Sequence, residues 1–215
     1  GYVYSGKSAG AAYSTLRQYS KDYTSVAILG PSHRKYMNTA AYPNVNYFIT
    51  PLGKVEVDLK KLYELQKLHS YLLPDDRAHE KEHCLEVQLP FLQTVLDGFT
   101  ILPILIGSMD VNDIHNLINS IILSDDILVV ISTDLSHYLS YNECAVRDMQ
   151  TASQIESFTI SPEKENIACG IYPLSGAIKY ASERNLTIKR KSLLNSGDTA
   201  GSRDEVVGYG SWVIC

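Results

Sequence analysis

The chain has 215 residues, 45% of them hydrophobic and 20% charged, which is the balance of an ordinary globular protein with enough apolar mass for one core. A formal net charge of -5, with Lys189, Arg190 and Lys191 as the only basic cluster, argues against nucleic acid or an anionic membrane surface as partner. No apolar run approaches the roughly 20 residues that span a bilayer, no leader-like segment is present, and the four cysteines (Cys84, Cys144, Cys169, Cys215) form no C-x-x-C pair, so the expectation is a cytoplasmic protein with free thiols.

In chain order, Gly1-Tyr2-Val3-Tyr4-Ser5-Gly6 reads as a loop, and residues 8–19 read as a helix with Ala9, Ala12, Tyr13 and Leu16 at helical spacing. Residues 25–30 form a short apolar strand closed by Gly30-Pro31 and followed by Ser32-His33, and residues 34–45 read as a loop that could cover a site. Residues 47–50 and 54–57 are strand-like and split by a Pro51-Leu52-Gly53 turn. Asp58 is placed to cap a helix carrying Leu59, Leu62, Leu65 and Leu68, which Pro74-Asp75-Asp76 closes. Leu85, Leu89, Leu92 and Leu96 predict a helix over 82–96 with Pro90 as a local fault. Residues 99–107 read as a strand whose Pro103 predicts an edge position or a bulge. A helix over 112–123, a strand from Ile127, helices over 142–158, from Ser161-Pro162-Glu163 and over 176–184, and closing strands over 186–194 and 206–214 complete the chain. The alternation predicts one α/β domain with a mainly parallel mixed sheet flanked by helices.

Two motif matches fail on context. Gly1-Tyr2-Val3-Tyr4-Ser5-Gly6-Lys7-Ser8 fits the phosphate-loop pattern, but such a loop follows a strand, and none precedes it here. His79-Glu80-Lys81-Glu82-His83 fits the H-E-x-x-H zinc pattern, but that geometry needs a helix already formed at His79, and the apolar periodicity begins only near Cys84.

The most informative stretch is Ile127-Leu-Val-Val-Ile-Ser-Thr-Asp-Leu-Ser-His-Tyr138. Its apolar, mostly β-branched start predicts a strand buried on both faces, and ligands in open α/β sheets bind beyond the carboxyl ends of such strands. Asp134 and His137 therefore stand where chemistry is expected, although Asp134 could equally cap a turn and His137 lie on the surface. Three further clusters fall at strand ends or helix starts: Gly30-Pro31-Ser32-His33, Glu82-His83-Cys84-Leu85-Glu86 and Cys169-Gly170-Ile171-Tyr172-Pro173. Imidazoles, carboxylates and a thiol suit a soft-to-borderline divalent metal or a Cys–His nucleophile pair.

These blocks, with Gly1-Tyr2-Val3-Tyr4-Ser5-Gly6 and the continuation Val87-Gln88-Leu89-Pro90-Phe91, resemble the signature blocks of the Memo family in order and over nearly the whole chain. The family is named for an animal mediator of cell motility, its bacterial and archaeal members commonly accompany a radical-SAM protein, and its fold is similar to that of class III extradiol dioxygenases. The resemblance implies metal ligation by His33 and Cys169, with iron(II) or copper as the cofactor. A third family ligand, in a Pro-His-Ala-Gly-Tyr block, would lie before Gly1, so the chain is expected to be a single Memo-like domain over 1–215 without that strand and segment. It implies catalytic roles for Asp134, His137 and His83, and substrate contacts for Tyr4, Ser32 and Glu82. A redox enzyme of the extradiol-dioxygenase type would let His137 or His83 take a substrate hydroxyl proton while Asp134 orients the imidazole. The competing expectations are a pocket that binds a small molecule or peptide without turnover, and a Cys–His hydrolase with Cys169 as nucleophile.

Overall fold

The computed structural model describes residues 1–123, 126–163 and 168–215. Its first element is helix α1 (Tyr2–Tyr13), which tightens into a 3-10 segment over Ser14–Tyr19. The loop expected over the first six residues is thus helical. Gly6 and Gly10 each cost a helix about 1 kcal/mol against alanine, and aromatic packing offsets them. Tyr13 stacks on Phe91 at 5.1 Å between ring centroids, and Tyr2 meets the same ring edge-on at 5.7 Å. The phosphate-loop match lies in this helix, where its N–H groups are arranged for helical bonding rather than as a cradle.

Strand β1 (Ser25–Pro31) is buried throughout. It is followed by β2 (Ala40–Tyr42), β3 (Tyr47–Thr50) and β4 (Gly53–Val57). Strand β2 falls inside the stretch read as a covering loop. Three residues are too few to show a period, yet all three are buried. The β3–β4 hairpin turns at Pro51-Leu52 as expected. Helix α2 (Leu59–Leu68) begins at Asp58, whose carboxylate accepts the Lys61 N–H at 2.9 Å. After β5 (Leu72–Pro74) and the single turn α3 (Asp76–His79), residues 82–96 do not form one helix. A 3-10 turn over Glu86–Gln88 leads into α4 (Leu89–Val95), and Pro90 occupies the first turn, where its missing N–H costs no bond.

Strand β6 (Thr100–Ile106) is central rather than an edge. It pairs with β1 along its whole length, while β4 covers its other side at Thr100 and Ile101 and β2 at Leu105 and Ile106. Pro103 lies on that second side, in the gap between the two short partners, so the sheet gives up no bond to the proline. Helix α5 (Val111–Ile121) then leads to β7 (Ile127–Ile131), followed by β8 (His137–Leu139), α6 (Tyr141–Glu156), α7 (Ile171–Glu183), β9 (Ile188–Asn195) and β10 (Val206–Ile214). The helix read from Ser161 onward runs into residues 164–167, outside the described residues.

The main sheet has the order β3-β4-β6-β1-β7, with β2 and β5 continuing off β6, and most of its pairings are parallel. Helices α5 and α7 pack on each other, α7 against β1 and β7. A second, antiparallel sheet, β8-β10-β9, is covered by α1 and α6. Strand β7 differs from its reading in one respect. Among the described residues it pairs only with β1, and four of its five residues are half-buried, because its outer side faces a cavity instead of another strand. No helix among the described residues is long and apolar enough to cross a membrane.

Candidate metal and acid–base site

The end of β1 delivers His33 through a turn in which the Ser32 N–H donates to the Ile106 carbonyl at 3.3 Å and the Ser32 hydroxyl donates to the Lys35 carbonyl at 2.7 Å. The 82–85 segment can lie against this strand end because residue 30 is glycine. A Cβ there would stand 2.7 Å from the Cys84 sulfur and 2.8 Å from Leu85 Cδ2. The buried Glu82 carboxylate organises the corner. Oε2 accepts the His33 backbone N–H at 2.7 Å, while Oε1 accepts the His83 N–H at 2.9 Å and the Cys84 N–H at 3.3 Å and lies 3.0 Å from His33 Nδ1. Burial alone would raise the pKa of Glu82, but the His33 ring and these N–H groups overrule it and hold it at about 2. His33 is pushed the other way, up to about 12, by its bonds to Cys169, Cys84 and Glu82, in that order, against the opposing effect of burial. Burial pushes the Cys84 thiol up to about 11.

The end of β7 is tied to the same corner. The Ser132 hydroxyl donates to the Cys84 carbonyl at 2.7 Å and accepts from Gln88 Nε2 at 2.8 Å. Just beyond it the Thr133 hydroxyl donates to the Asp134 carbonyl at 2.7 Å and accepts the Gly170 N–H at 2.8 Å, and the Asp134 N–H donates to the Cys169 sulfur at 3.2 Å. Position 170 must again be glycine for this approach, since a Cβ would lie 2.6 Å from Thr133 Cβ and 2.9 Å from the Ser132 carbonyl oxygen. Burial raises the pKa of Asp134, opposed by the charges of His137, His33 and His83 among others. His137 Nε2 lies 3.8 Å from Asp134 Oδ2. The turn between them is held from beneath, where buried Asp148 accepts the Ser136 N–H at 3.0 Å.

His33, His83, Cys84, Thr133, Asp134 and Cys169 all line one cavity of about 560 Å³, which continues along α1, β7 and β10. The structure thus brings together the two expected metal ligands, His33 and Cys169, with Asp134 and His83 beside them and His137 held at the Asp134 carboxylate. The His83 ring lies nearly parallel to that of His33, with centroids 6.1 Å apart. Three expected substrate contacts are placed otherwise. Tyr4 is not among the lining residues, where Tyr2 and Ser5 of the same helix stand instead. The Ser32 hydroxyl is used inside its own turn. The Glu82 oxygens are consumed by His33 and three backbone N–H groups. The H-E-x-x-H pair is also separated, with His79 Nε2 3.1 Å from the Ala41 carbonyl oxygen. Cys84 and Thr133 are site neighbours that the sequence reading quoted only as parts of motifs. The glycines at 30 and 170, each opposite one of them, were the available signal.

Ligand atoms of His33, Glu82 and Cys84 lie within 4.8 Å of one another. Because Glu82 is saturated by donors, it suits the outer role of fixing the His33 ring through Nδ1, which leaves Nε2 for a metal. An imidazole nitrogen and the thiol of Cys169 on the wall of the same cavity suit a borderline-to-soft cation.

Comparison with known proteins agrees with this arrangement. The family model described as Memo-like protein matches residues 1–213. A MEMO1 family protein of Archaeoglobus fulgidus is 34% identical over 225 residues, covering 100% of this chain and 83% of the relative. One of Thermoplasma volcanium is 33% identical over 226 residues, covering 100% and 82%. One of Aquifex aeolicus is 32% identical over 223 residues, covering 97% and 80%. With the match running from the first helix to the last strand, and the strand ends converging on one His/Glu/Cys corner, the chain belongs to the Memo-like protein family.

Proposed function

We propose that the protein is a metal-dependent redox enzyme of the extradiol-dioxygenase type, in which His33 and Cys169 hold iron(II) or copper and Asp134 and His137 handle a substrate proton. The observation that supports this reading is the convergence of the oriented His33 imidazole, the Cys169 thiol and the Asp134 carboxyl on one cavity, with His137 outside its lining and 3.8 Å from the far side of that carboxyl. A bound metal would supply Lewis acidity and a redox partner for dioxygen. The chain's own residues would do the rest. Glu82 fixes the His33 tautomer through Nδ1. The Asp134 carboxyl, its proton affinity raised by burial, orients His137 and steadies the charge that forms when the imidazole takes a hydroxyl proton. His83 offers a second imidazole on the same wall.

The test is anaerobic loading with iron(II) or copper(I), followed by oxygen uptake with a panel of catechols. Turnover should require Cys169 and fall by about 100-fold or more in Asp134→Asn, with metal content unchanged in that variant. A loaded protein that consumes no oxygen with any of them would remove the oxygenase reading. Labelling of Cys169 by an electrophilic acyl substrate without metal would favour the Cys–His hydrolase instead.

A second reading, capture of a small molecule or peptide without turnover, is favoured by the cavity's reach beyond the metal donors. Apolar residues of α1, β7 and β10 line that extension, together with the hydroxyls of Ser8 and Ser211, for which no hydrogen-bond partner is found among the described residues.

A further inference from the structure

The turn that carries Asp134 and His137 is bound from behind at both residues between them. The Leu135 N–H donates to the Gly208 carbonyl at 2.9 Å, and the Gly208 N–H donates to the Ser136 carbonyl at 2.8 Å. The Ser136 N–H donates to Asp148 Oδ1 at 3.0 Å. Asp148 Oδ2 accepts the thiol of Cys144, one turn earlier on α6, at 3.2 Å, and the Cys144 sulfur accepts the Ser136 hydroxyl at 3.0 Å. Ser136, Cys144 and Asp148 thus close a ring of hydrogen bonds, all three are buried, and none of them lines the cavity. The Asp148 carboxylate fits there because residue 208 is glycine; a Cβ at that position would overlap it.

The backbone just beyond the turn is strained. Tyr138 has φ 57°, a left-handed conformation that is uncommon for a bulky residue. It is the extra residue of a bulge in β8, since His137 stands opposite Val207 and Leu139 opposite Val206. Bulges beside functional sites re-aim a side chain, and strain of this kind persists only where the surroundings over-determine it. A fully satisfied buried network such as the Ser136–Cys144–Asp148 ring supplies that constraint, because it rigidifies the segment it binds.

We infer that Asp148 is a positioning residue: by holding the Ser136 N–H it sets the Asp134 carboxyl on the cavity wall and His137 behind it. Asp148 touches neither the cavity nor the expected metal ligands, so it acts only through the turn. The inference rests on the acid–base roles proposed above for Asp134 and His137, and adds the group that fixes their spacing.

Hydrogen exchange followed by NMR on the full metal-free chain decides it, because that measurement needs neither metal nor substrate. Asp148→Ala should speed exchange of the Asp134, Leu135 and Ser136 amides by about 10-fold more than that of the β1 amides, the factor expected when one buried donor is stranded in a turn that opens locally. Asp148→Asn, whose amide oxygen can still accept the Ser136 N–H, should restore the wild-type pattern. Asp148→Ser, too short to reach that N–H, is measured beside them so that the test stands even where alanine does not fold, and circular dichroism checks each variant. Exchange that rises equally in β1 and at residues 134–136, or that does not change at 134–136, overturns the inference, since the carboxylate would then support the fold without setting the turn. In the loaded enzyme, kcat for a catechol should fall by about 10- to 100-fold in Asp148→Ala with KM little changed, and recover in Asp148→Asn. An equal loss in both variants would overturn the inference as well. A wild type without turnover sinks the oxygenase reading alone, because the exchange pattern is decided without it.

Discussion

Replacing Glu82 by glutamine keeps the shape of the corner and changes only its donors and acceptors. The amide oxygen can take the place of Oε1, serving His33 Nδ1 and the N–H groups of His83 and Cys84, but the NH2 group then faces the His33 N–H, now 2.7 Å from Oε2. One buried donor is left stranded, at a cost of about 1–3 kcal/mol. The remaining bonds lose their charge assistance, which removes roughly 1–2 kcal/mol more. The expected total, about 3 kcal/mol, agrees with the cost of breaking a buried ion pair from one side. Urea unfolding of the metal-free protein, followed by the fluorescence of the single tryptophan, Trp212, should show a midpoint lowered by about 1–1.5 M at a slope of 2–3 kcal/mol per M. Glu86→Gln, exposed and one turn on, should change stability by less than about 0.5 kcal/mol. A Glu82→Gln loss below about 1 kcal/mol would refute the reasoning, because the carboxylate would then not be the acceptor on which the corner depends.

Two further predictions concern the neighbouring loop and the pH response. Gly170→Ala should cost about 1–3 kcal/mol through overpacking against Thr133 and should weaken metal binding by shifting Cys169, whereas unchanged metal affinity would show that the close approach does not position the sulfur. Burial lowers the pKa of His79 despite its bond to the Ala41 carbonyl and nearby acidic groups, so the unfolded chain takes up its proton first. His79 therefore favours the native state fully above about pH 6.5 and loses that contribution as the pH falls from there through its lower folded value. The stability of wild type relative to His79→Gln should accordingly rise from pH 5 to pH 7, and a pH-independent difference would contradict the assignment.

The parts of the fold that could be read from sequence are those where one physical signal dominates. The apolar runs of β1, β6 and β7, and Asp58 before a leucine-spaced helix, each announced their element. So did the polar residues that follow a buried strand, and His33, Asp134 and Cys169 do converge. The failures arise where tertiary context overrides local pattern. Helix α1 tolerates two glycines because its tyrosines pack on Phe91. Pro103 sits in a central strand because its partners stop on either side of it. Glu82 reads as a substrate contact because a carboxylate beside a histidine has that chemistry, and nothing local indicates the three backbone N–H groups that its oxygens also accept. Cys84 was overlooked because its importance depends on a glycine more than fifty positions earlier.

The central place of β1 has a consequence for the chain as it is synthesised. Its partner β6 starts 75 positions later (Thr100 against Ser25), and its other partner, β7, later still. At about 5–20 residues per second of translation, this fully buried strand waits roughly 4–15 s for its first parallel neighbour. During that interval β1 is a sticky segment that a nascent-chain chaperone would recognise.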